Sequence, residues 1–115
     1  MQPILHLCQR GDWKTAQLQG AYQAASLSVE GFIHCSTAEQ ILQVANQFYR
    51  STPDLILLWI DCDRVKAEIK WESVGKDLFP HIYGPLNLDA VYCDKELKPD
   101  PDGFYRALPL ANEMG

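Results

Sequence analysis

The sequence has no long apolar run and no leader-like start, and both absences narrow the class of protein. Its longest apolar stretch, Leu55–Ile60, is far shorter than the ~20 residues that a membrane helix needs. Residues 1–20 lack the basic start and the apolar stretch of a signal peptide. We therefore expect a cytoplasmic protein that does not cross a membrane.

Basic residues are scarce as well. Ten Lys and Arg stand against fifteen Asp and Glu, which gives a formal net charge of −5. Affinity for long nucleic acid comes mostly from Lys and Arg that neutralise phosphates, and the sequence has no basic cluster. The composition argues against binding to long nucleic acid. A nucleotide or a nucleic-acid end remains compatible, because one small anion needs only a local pocket.

Closely spaced cysteines are missing. The four cysteines, Cys8, Cys35, Cys62 and Cys93, are far apart and form no CxxC motif, which argues against a zinc ribbon or a redox dithiol. Each of them lies in or beside an apolar stretch. We predict reduced thiols that act as small core residues.

The remaining composition is that of a folded domain. The chain has 115 residues, of which 47% are hydrophobic and 22% charged. This length suffices for one domain, residues 1–115, and not for two. Such a domain buries roughly two-thirds of the unfolded chain's surface, so that a core forms without disulfide or metal staples.

Two N-terminal helices are predicted from their end signals. Asp12 is the expected N-cap of a helix over Trp13–Gln19, and Gly20 ends it. Ser36 and Glu39 have the spacing of a capping box, and apolar residues then recur at helical spacing over residues 41–49. The intervening residues 21–29 are mixed and compatible with an extended segment.

Alternation and apolar runs predict five or six strands. With two helices ahead of most of them, they indicate an α+β fold. Residues 76–88 are expected to form a long loop or edge segment, and the tail from Leu108 is expected to be loose. The predicted strands are Ile4–Cys8, Gly31–Cys35, a central Leu55–Asp61, Ile69–Ser73, Leu88–Cys93 and a short one at Phe104–Tyr105.

The three histidines are the strongest candidates for catalysis. His6 and His34 lie inside predicted strands, and His81 lies in the segment FPHIYGPL. A lone strand histidine is more often a hydrogen-bonded core residue. Two of them are costly to bury unless they face a shared cleft, so together His6, His34 and His81 indicate a site.

Other chemistries for these residues are less well supported. The sequence has no HxH or HExxH motif, so no metal ligands are predicted, although zinc held by the three histidines remains an alternative. A Cys35 nucleophile beside His34 is a second alternative. Neighbours on a strand point to opposite faces, and Cys35 should therefore turn away from whatever His34 contacts.

A ligand-binding role is predicted for the segment after His34. Ser36, Thr37 and Gln40 follow it at a strand-to-helix junction, where free backbone N–H groups favour an anion. Ser36 can cap the helix and line a pocket at once. Glu72 is a further candidate carboxylate, although a strand Glu needs no function.

These segments resemble the uncharacterised bacterial family 952 of the domains of unknown function, over roughly residues 3–107. The motifs EGFIHCS and FPHIYGPL are the most specific. The segments that carry the resemblance are Leu5-His6, Trp13 to Tyr22, Ser26-Leu27, Glu30 to Thr37 with Gln40, and Phe79 to Leu86.

The resemblance implies a fold similar to the ADP-ribosyltransferase superfamily, a split, mainly antiparallel β structure that holds NAD in a cleft. In that superfamily a first-strand His, or an Arg in the toxin branch, holds a ribose hydroxyl, and a later aromatic or His after a glycine flanks the nicotinamide. His6 and His34 match these positions, in the pattern of the RNA 2′-phosphotransferase branch. The third position, often Glu, has three candidates here: His81, Tyr83 and Glu72.

The resemblance therefore implies an NAD-dependent enzyme that transfers an ADP-ribosyl or phosphate group. His6, His34 and His81 would be catalytic; Ser36, Thr37, Gln40 and Tyr83 would bind NAD or another nucleotide-like ligand. The absence of a matched Glu argues against transfer to a protein side chain. The alternative is a non-catalytic module on the same fold that binds a small metabolite or a protein.

Overall fold

A computed structural model describes residues 3–111 of the chain. Within them it forms three α-helices and eight β-strands, and all of the strand pairs are antiparallel. The α+β class is therefore as predicted. In chain order the elements are β1 (Pro3–Gln9), α1 (Arg10–Gln19), β2 (Ala21–Tyr22), α2 (Ala25–Glu30), β3 (Ile33–His34), α3 (Ile41–Phe48), β4 (Leu55–Asp61), β5 (Glu68–Val74), β6 (Asp77–Tyr83), β7 (Leu86–Asn87) and β8 (Val91–Glu96).

Strand β4 is the centre of a three-stranded sheet of order β1-β4-β8, as its unbroken apolar sequence predicts. Ile56, Leu58 and Ile60 face a first hydrophobic core. The alternate residues face a second core, to which helix α3 contributes Ile41 and Ala45. Both faces of the strand are buried over residues 55–60, and its polar residue, Asp61, is half buried at the end.

A second three-stranded sheet has the order β3-β6-β5, and β2 pairs with β7 in a separate short ladder. Ile33, Ile69 and Ile82 of the second sheet pack into the first core. Because side chains alternate along a strand, the neighbouring residues His34 and His81 lie on the opposite face. The candidate site lies on this opposite face.

A backbone bridge joins the two larger sheets. The Leu5 N–H donates to the Ser36 carbonyl and the Ser36 N–H donates to the Leu5 carbonyl, both at 2.8 Å. This reciprocal pair is an isolated antiparallel bridge. It sets the end of β3 against the middle of β1, so that His6 and His34 come close.

The helical prediction needs two corrections. A third helix, α2 (Ala25–Glu30), overlaps residues 21–29, which are predicted to be mixed or extended, and Gly31 caps its end with a left-handed φ of 91°. Helix α1 begins at Arg10, so Asp12 lies in its first turn and is not the N-cap. Gly20 ends this helix as predicted, because its φ of 89° favours a residue without a Cβ.

The capping box predicted for Ser36 and Glu39 is wrong by one residue. The Thr37 N–H donates to Gln40 Oε1 at 2.9 Å, while the Thr37 carbonyl accepts from the N–H groups of Gln40 and Ile41. Thr37 and Gln40 therefore organise the start of α3. Ser36 instead belongs to the bridge with Leu5.

The segment predicted as a loop or edge, residues 76–88, contains the central strand of the second sheet. Strand β6 pairs with β5 in the register Val74↔Asp77 to Glu68↔Tyr83. Gly75 and Lys76 form the two-residue turn, and Gly75 has a left-handed φ of 65°. A glycine at the first turn position is typical of tight hairpins.

The C-terminal part also differs from the prediction. Phe104–Tyr105 forms no strand, and Tyr105 is instead buried in the second core. Leu108, predicted to start a loose tail, packs against the same core, and the Trp59 indole N–H donates to the Pro109 carbonyl at 3.2 Å. Residues 112–115 of the predicted tail lie outside the described residues.

Cysteine burial follows the prediction. Cys8 and Cys35 are buried thiols, while Cys62 and Cys93 are half buried against the first and second cores. As to membranes, no helix in the described range is both long and apolar enough for a crossing.

Candidate functional site

A cavity of about 440 Å³ lies between helix α3 and the β5–β6 hairpin. Its apolar wall consists of Val44, Phe48, Tyr49, Val74 and Phe79. The remaining lining comes from the end of β3 and from β6: His34, Cys35, Ser36 and His81. A mostly apolar cavity with a few converging polar groups is the usual form of a small-molecule site.

His34 and His81 lie side by side at this cavity. They are directly opposite each other in the β3–β6 ladder, and their ring centroids are 5.4 Å apart in an edge-to-face arrangement. Directly opposed residues of an antiparallel pair project from the same face. The register therefore brings together two of the three predicted histidines.

The His81 ring is fixed in orientation by Glu72. His81 is buried, with an exposed fraction of 4%, and its Nδ1 is 2.7 Å from Glu72 Oε1. A carboxylate only accepts hydrogen bonds, so Nδ1 carries the proton and a neutral ring has its lone pair on Nε2. Within residues 3–111 this Nε2 has no hydrogen-bond partner. Every buried side-chain nitrogen or oxygen in this range does have a partner. Nε2 is therefore not fully buried and contacts solvent.

Glu72 binds a second donor. The Tyr83 hydroxyl donates to the same Oε1 at 2.6 Å. The bonds from Tyr83 and then His81 lower the pKa of Glu72, and the bond to Glu72 raises the pKa of Tyr83. Glu72 therefore stays ionised at neutral pH and orients two side chains at once.

Phe32 covers the histidine pair. Its ring stacks on His81 with centroids 4.1 Å apart and planes inclined by 19°. The same ring meets the edge of His34 at 4.8 Å and approaches Tyr83 at 5.3 Å. Phe32 thus shields one face of His81 from water and restrains all three neighbours.

His34 is the solvent-facing member of the pair. Its side chain is 55% exposed, and its Nε2 is hydrogen-bonded to Glu30 Oε1. Glu30 is the last residue of α2, so the helix missed from the sequence supplies a carboxylate to the site. Each histidine at the cavity therefore has a glutamate partner.

His6 lies behind the site and not in the cavity wall. Its Nδ1 donates to the main-chain carbonyl of His34, and its Nε2 accepts from the Tyr22 hydroxyl at 2.8 Å. Burial lowers the pKa of His6 to about 4, so the ring is neutral at physiological pH. Both ring nitrogens are in use, and His6 reaches the site through the His34 backbone.

The predicted binding residues at the β3–α3 junction are partly occupied by protein contacts. Ser36 lines the cavity. Gln40 holds the Thr37 N–H through Oε1 and donates through Nε2 to the Leu78 carbonyl at 2.9 Å. Gln40 therefore connects the start of α3 to strand β6, and Thr37 lies beside the cavity without lining it.

Cys35 lines the cavity but is poorly suited to be a nucleophile. Burial raises its pKa well above the ordinary range of a thiol, and the thiolate is the reactive form. A metal centre is not indicated by the described part of the chain, where no three His, Cys, Asp or Glu side chains are grouped so that they could hold an ion.

Sequence reasoning missed Glu30, Phe32 and the apolar wall. Glu30 is four residues before His34, a spacing that carries meaning only once α2 is recognised. Glu72 was a candidate without a partner. The Gly75-Lys76 turn could have supplied the partner, because the resulting register places Lys70 opposite His81 and Glu72 opposite Phe79, next to His81 on the same face.

Comparison with solved structures gives relatives of the same fold. The crystal structure of protein CC0527 from Caulobacter crescentus is 33% identical, with a TM-score of 0.83 over 90% of this chain and 93% of that chain. The solution NMR structure of CC0527 is 32% identical, with a TM-score of 0.80 over 92% and 93% of the two chains. A double mutant of CC0527 matches equally well.

Comparison with protein families agrees with this likeness. No curated protein matches the chain. The sequence model of DUF952, described as a protein of unknown function, matches residues 7–93, which is most of the chain and a narrower span than the resemblance over residues 3–107. The matched span begins at Leu7, directly after His6, and includes both cavity histidines and Glu72. The chain therefore belongs to the DUF952 family.

Proposed function

We propose that the chain is an enzyme that binds NAD, or a related N-riboside, in the cavity between α3 and the β5–β6 hairpin and transfers its ribosyl group. The observation that carries this proposal is the pair His34 and His81 at one cavity. The His81 ring is held at Nδ1 by the ionised Glu72 carboxylate. Its Nε2 faces solvent and has no partner among the described residues.

The His81 ring has the arrangement of a general base. Its Nδ1–H is engaged by Glu72, as the orienting carboxylate of a catalytic triad engages its histidine. This bond leaves Nε2 able to accept a proton and stabilises the imidazolium that forms. Tyr83 and Phe32 restrain the pair, which favours a well-defined geometry for proton transfer.

The proposed step is a substitution at the ribose C1′ atom. The bond from C1′ to the nicotinamide nitrogen breaks, and nicotinamide leaves with the bonding electrons. A hydroxyl of the acceptor, or water, forms the new bond to C1′ and gives its proton to His81 Nε2. His34 would contact the ribose, and His6 would hold the His34 main chain in place as a positioning residue.

The test combines binding with turnover. Isotope-labelled protein is titrated with NAD, ADP-ribose and nicotinamide while NMR follows the amides of residues 32–40 and 79–83, and nicotinamide release is measured separately. We expect saturable shifts at these residues and at the other lining positions, which are Val44, Phe48, Tyr49 and Val74. His81→Gln, which keeps a donor near Glu72 but removes the base, should reduce nicotinamide release about 100-fold or more.

Two variants make the test specific. His34→Ala should weaken binding, since it removes a lining side chain. Gln43→Ala is the matched control, because Gln43 is an exposed residue of α3 outside the cavity lining, and it should behave as the unmodified protein. The absence of shifts at millimolar ligand, or equal binding by His34→Ala, would contradict the proposal.

A second candidate is a non-catalytic module that binds a small metabolite or a protein. The observation in its favour is the apolar rim of the cavity, where Phe48 is 67% exposed and Val74 is 54% exposed. Saturable binding with no nicotinamide release, together with unchanged behaviour of His81→Gln, would favour this candidate over the enzyme.

A further inference from the structure

Both histidines of the cavity are hydrogen-bonded to a carboxylate. Glu30 is bonded to His34, and Glu72 to His81. When the imidazoles are neutral, these two negative charges outweigh the single positive charge of Lys70, which is opposite His81 in the β5–β6 ladder. Solvent weakens their field, since both glutamates are partly exposed, but its sign attracts a cation and repels a phosphate.

Four backbone donors of the β3–α3 junction are already in use beside the cavity. The Ser36 N–H donates to the Leu5 carbonyl, and the Thr37 N–H to Gln40 Oε1. The N–H groups of Gln40 and Ile41 both donate to the Thr37 carbonyl at 3.1 Å. A phosphate held by these four groups would have to displace their bonds, unlike one at an open helix N-terminus.

The ribose and the ring of a phosphate-free riboside fit the groups that remain available at the cavity. The half-exposed His34 ring borders the cavity and can contact a ribose hydroxyl, while His81 Nε2 stays available for the proton of the acceptor. Phe48, Tyr49 and Phe79 offer aromatic surface on which a cationic ring gains cation–π attraction.

Building on the proposed function, we infer that the cavity binds a phosphate-free N-riboside with a cationic ring, and that each phosphate added to such a ligand weakens its binding. The substrate class is thus a nucleoside of the pyridinium type. The diphosphate and adenylate parts of a dinucleotide would extend into solvent and add no affinity.

Three probes that differ only in phosphate content test the inference: nicotinamide riboside, its mononucleotide and NAD. Dissociation constants are measured by calorimetry at low salt. We expect the riboside to bind tightest and the mononucleotide about tenfold more weakly, as two added negative charges near two carboxylates predict. NAD should bind no more tightly than the riboside.

A charge-removing variant identifies the source of the selectivity. Glu30→Gln keeps an acceptor for His34 but removes one negative charge. This variant should weaken riboside binding and narrow the tenfold difference between the dissociation constants of the riboside and the mononucleotide. Glu96→Gln, on strand β8 of the other sheet, is the matched control and should leave the gap unchanged.

The outcomes separate the inference from the proposed function. The inference would be overturned, and the proposed function left standing, if the mononucleotide or NAD bound at least tenfold more tightly than the riboside and shifted the NMR signals of Lys70. The Lys70 ammonium lies 4.7 Å from the Tyr83 ring centroid. Binding of none of the three probes would overturn both.

Discussion

His6 is the residue whose chemistry the fold changes most. In an unfolded chain it is an ordinary imidazole, but in the folded protein it is buried and its pKa falls from 6.5 to about 4, mainly through desolvation. The His34 carbonyl only accepts, so His6 Nδ1 carries a proton, and in the neutral ring Nε2 accepts from the Tyr22 hydroxyl. Protonation of Nε2 would remove the acceptor that Tyr22 uses.

This pKa shift predicts a pH dependence of stability. Between pH 6.5 and pH 4 the unfolded state binds a proton at His6 and the folded state does not, so the free energy of unfolding falls as the pH is lowered. The total loss from His6 alone is about 3 kcal/mol. Urea unfolding at pH 7, 5.5 and 4 measures it.

A His6→Gln variant isolates this contribution from that of the carboxylates. It should be less stable at pH 7 and should lose less stability than the unmodified protein on acidification to pH 4. If this variant does not fold, NMR of the imidazole nitrogens in the unmodified protein serves instead. An Nδ1-protonated tautomer at pH 6 is expected, and an imidazolium at pH 6 would contradict the assignment.

At the residue scale, the sequence predicts the site better than it predicts the partners of each site residue. Alternation in the strands predicts that Cys35 turns away from His34; Cys35 does pack into the first core, but it also lines the cavity beside His34. The bond between His81 and Glu72 and that between His34 and Glu30 depend on a hairpin register and on a helix. Single-residue patterns carry neither piece of information, so Glu30 was missed.

At the scale of elements, the junction between β3 and α3 decides how the cavity is built. Helix α3 begins one turn after the predicted cap because Ser36 is pulled into the bridge with Leu5. This tertiary contact overrides a local capping signal. Thr37 and Gln40 take over the start of the helix, and Gln40 also holds the Leu78 carbonyl of β6.

The junction yields a prediction that distinguishes the two capping arrangements. Gln40→Ala should lower the free energy of unfolding by about 1 kcal/mol or somewhat more, because it removes one capping bond and one bond to β6. Thermal unfolding followed by circular dichroism measures the change. Glu39→Ala, the control, should change stability little, since Glu39 is exposed; a larger loss in Glu39→Ala than in Gln40→Ala would restore the predicted box.

The β5–β6 hairpin shows a different limit of local patterns. Pro80 argues against a central strand because proline cannot donate to a ladder. In the structure Pro80 is opposite Trp71, and its carbonyl accepts from the Cys35 N–H at 3.1 Å. One missing donor is thus accommodated within a strand that is otherwise well paired, and the residues on either side of Pro80 reach the site.

At the scale of the whole molecule, the C-terminal segment completes the second core. Tyr105 is buried there, its hydroxyl donates to the Tyr49 carbonyl at 3.0 Å, and Leu108 packs nearby. Composition offered no sign of this, because the segment has no periodic pattern. Its placement depends on the core surface that α3 and β4 leave open.

Leu108 and Leu110 form a matched pair for testing this role. Leu108→Ala should lower the free energy of unfolding by roughly 1–2 kcal/mol, since it removes part of a half-buried side chain. Leu110 is 60% exposed, and Leu110→Ala should be nearly neutral. Urea unfolding followed by tryptophan fluorescence reports both; equal effects of the two changes would mean that the segment does not pack as described.

The bridge between Leu5 and Ser36 ties the spacing of the three histidines to main-chain geometry. Two reciprocal backbone bonds and the His6–His34 contact fasten the end of β3 to β1. His81 is paired with His34 in the β3–β6 ladder, so the relative positions of all three rings follow from main-chain bonds. We therefore expect substitutions in the apolar cavity wall to leave this spacing unchanged.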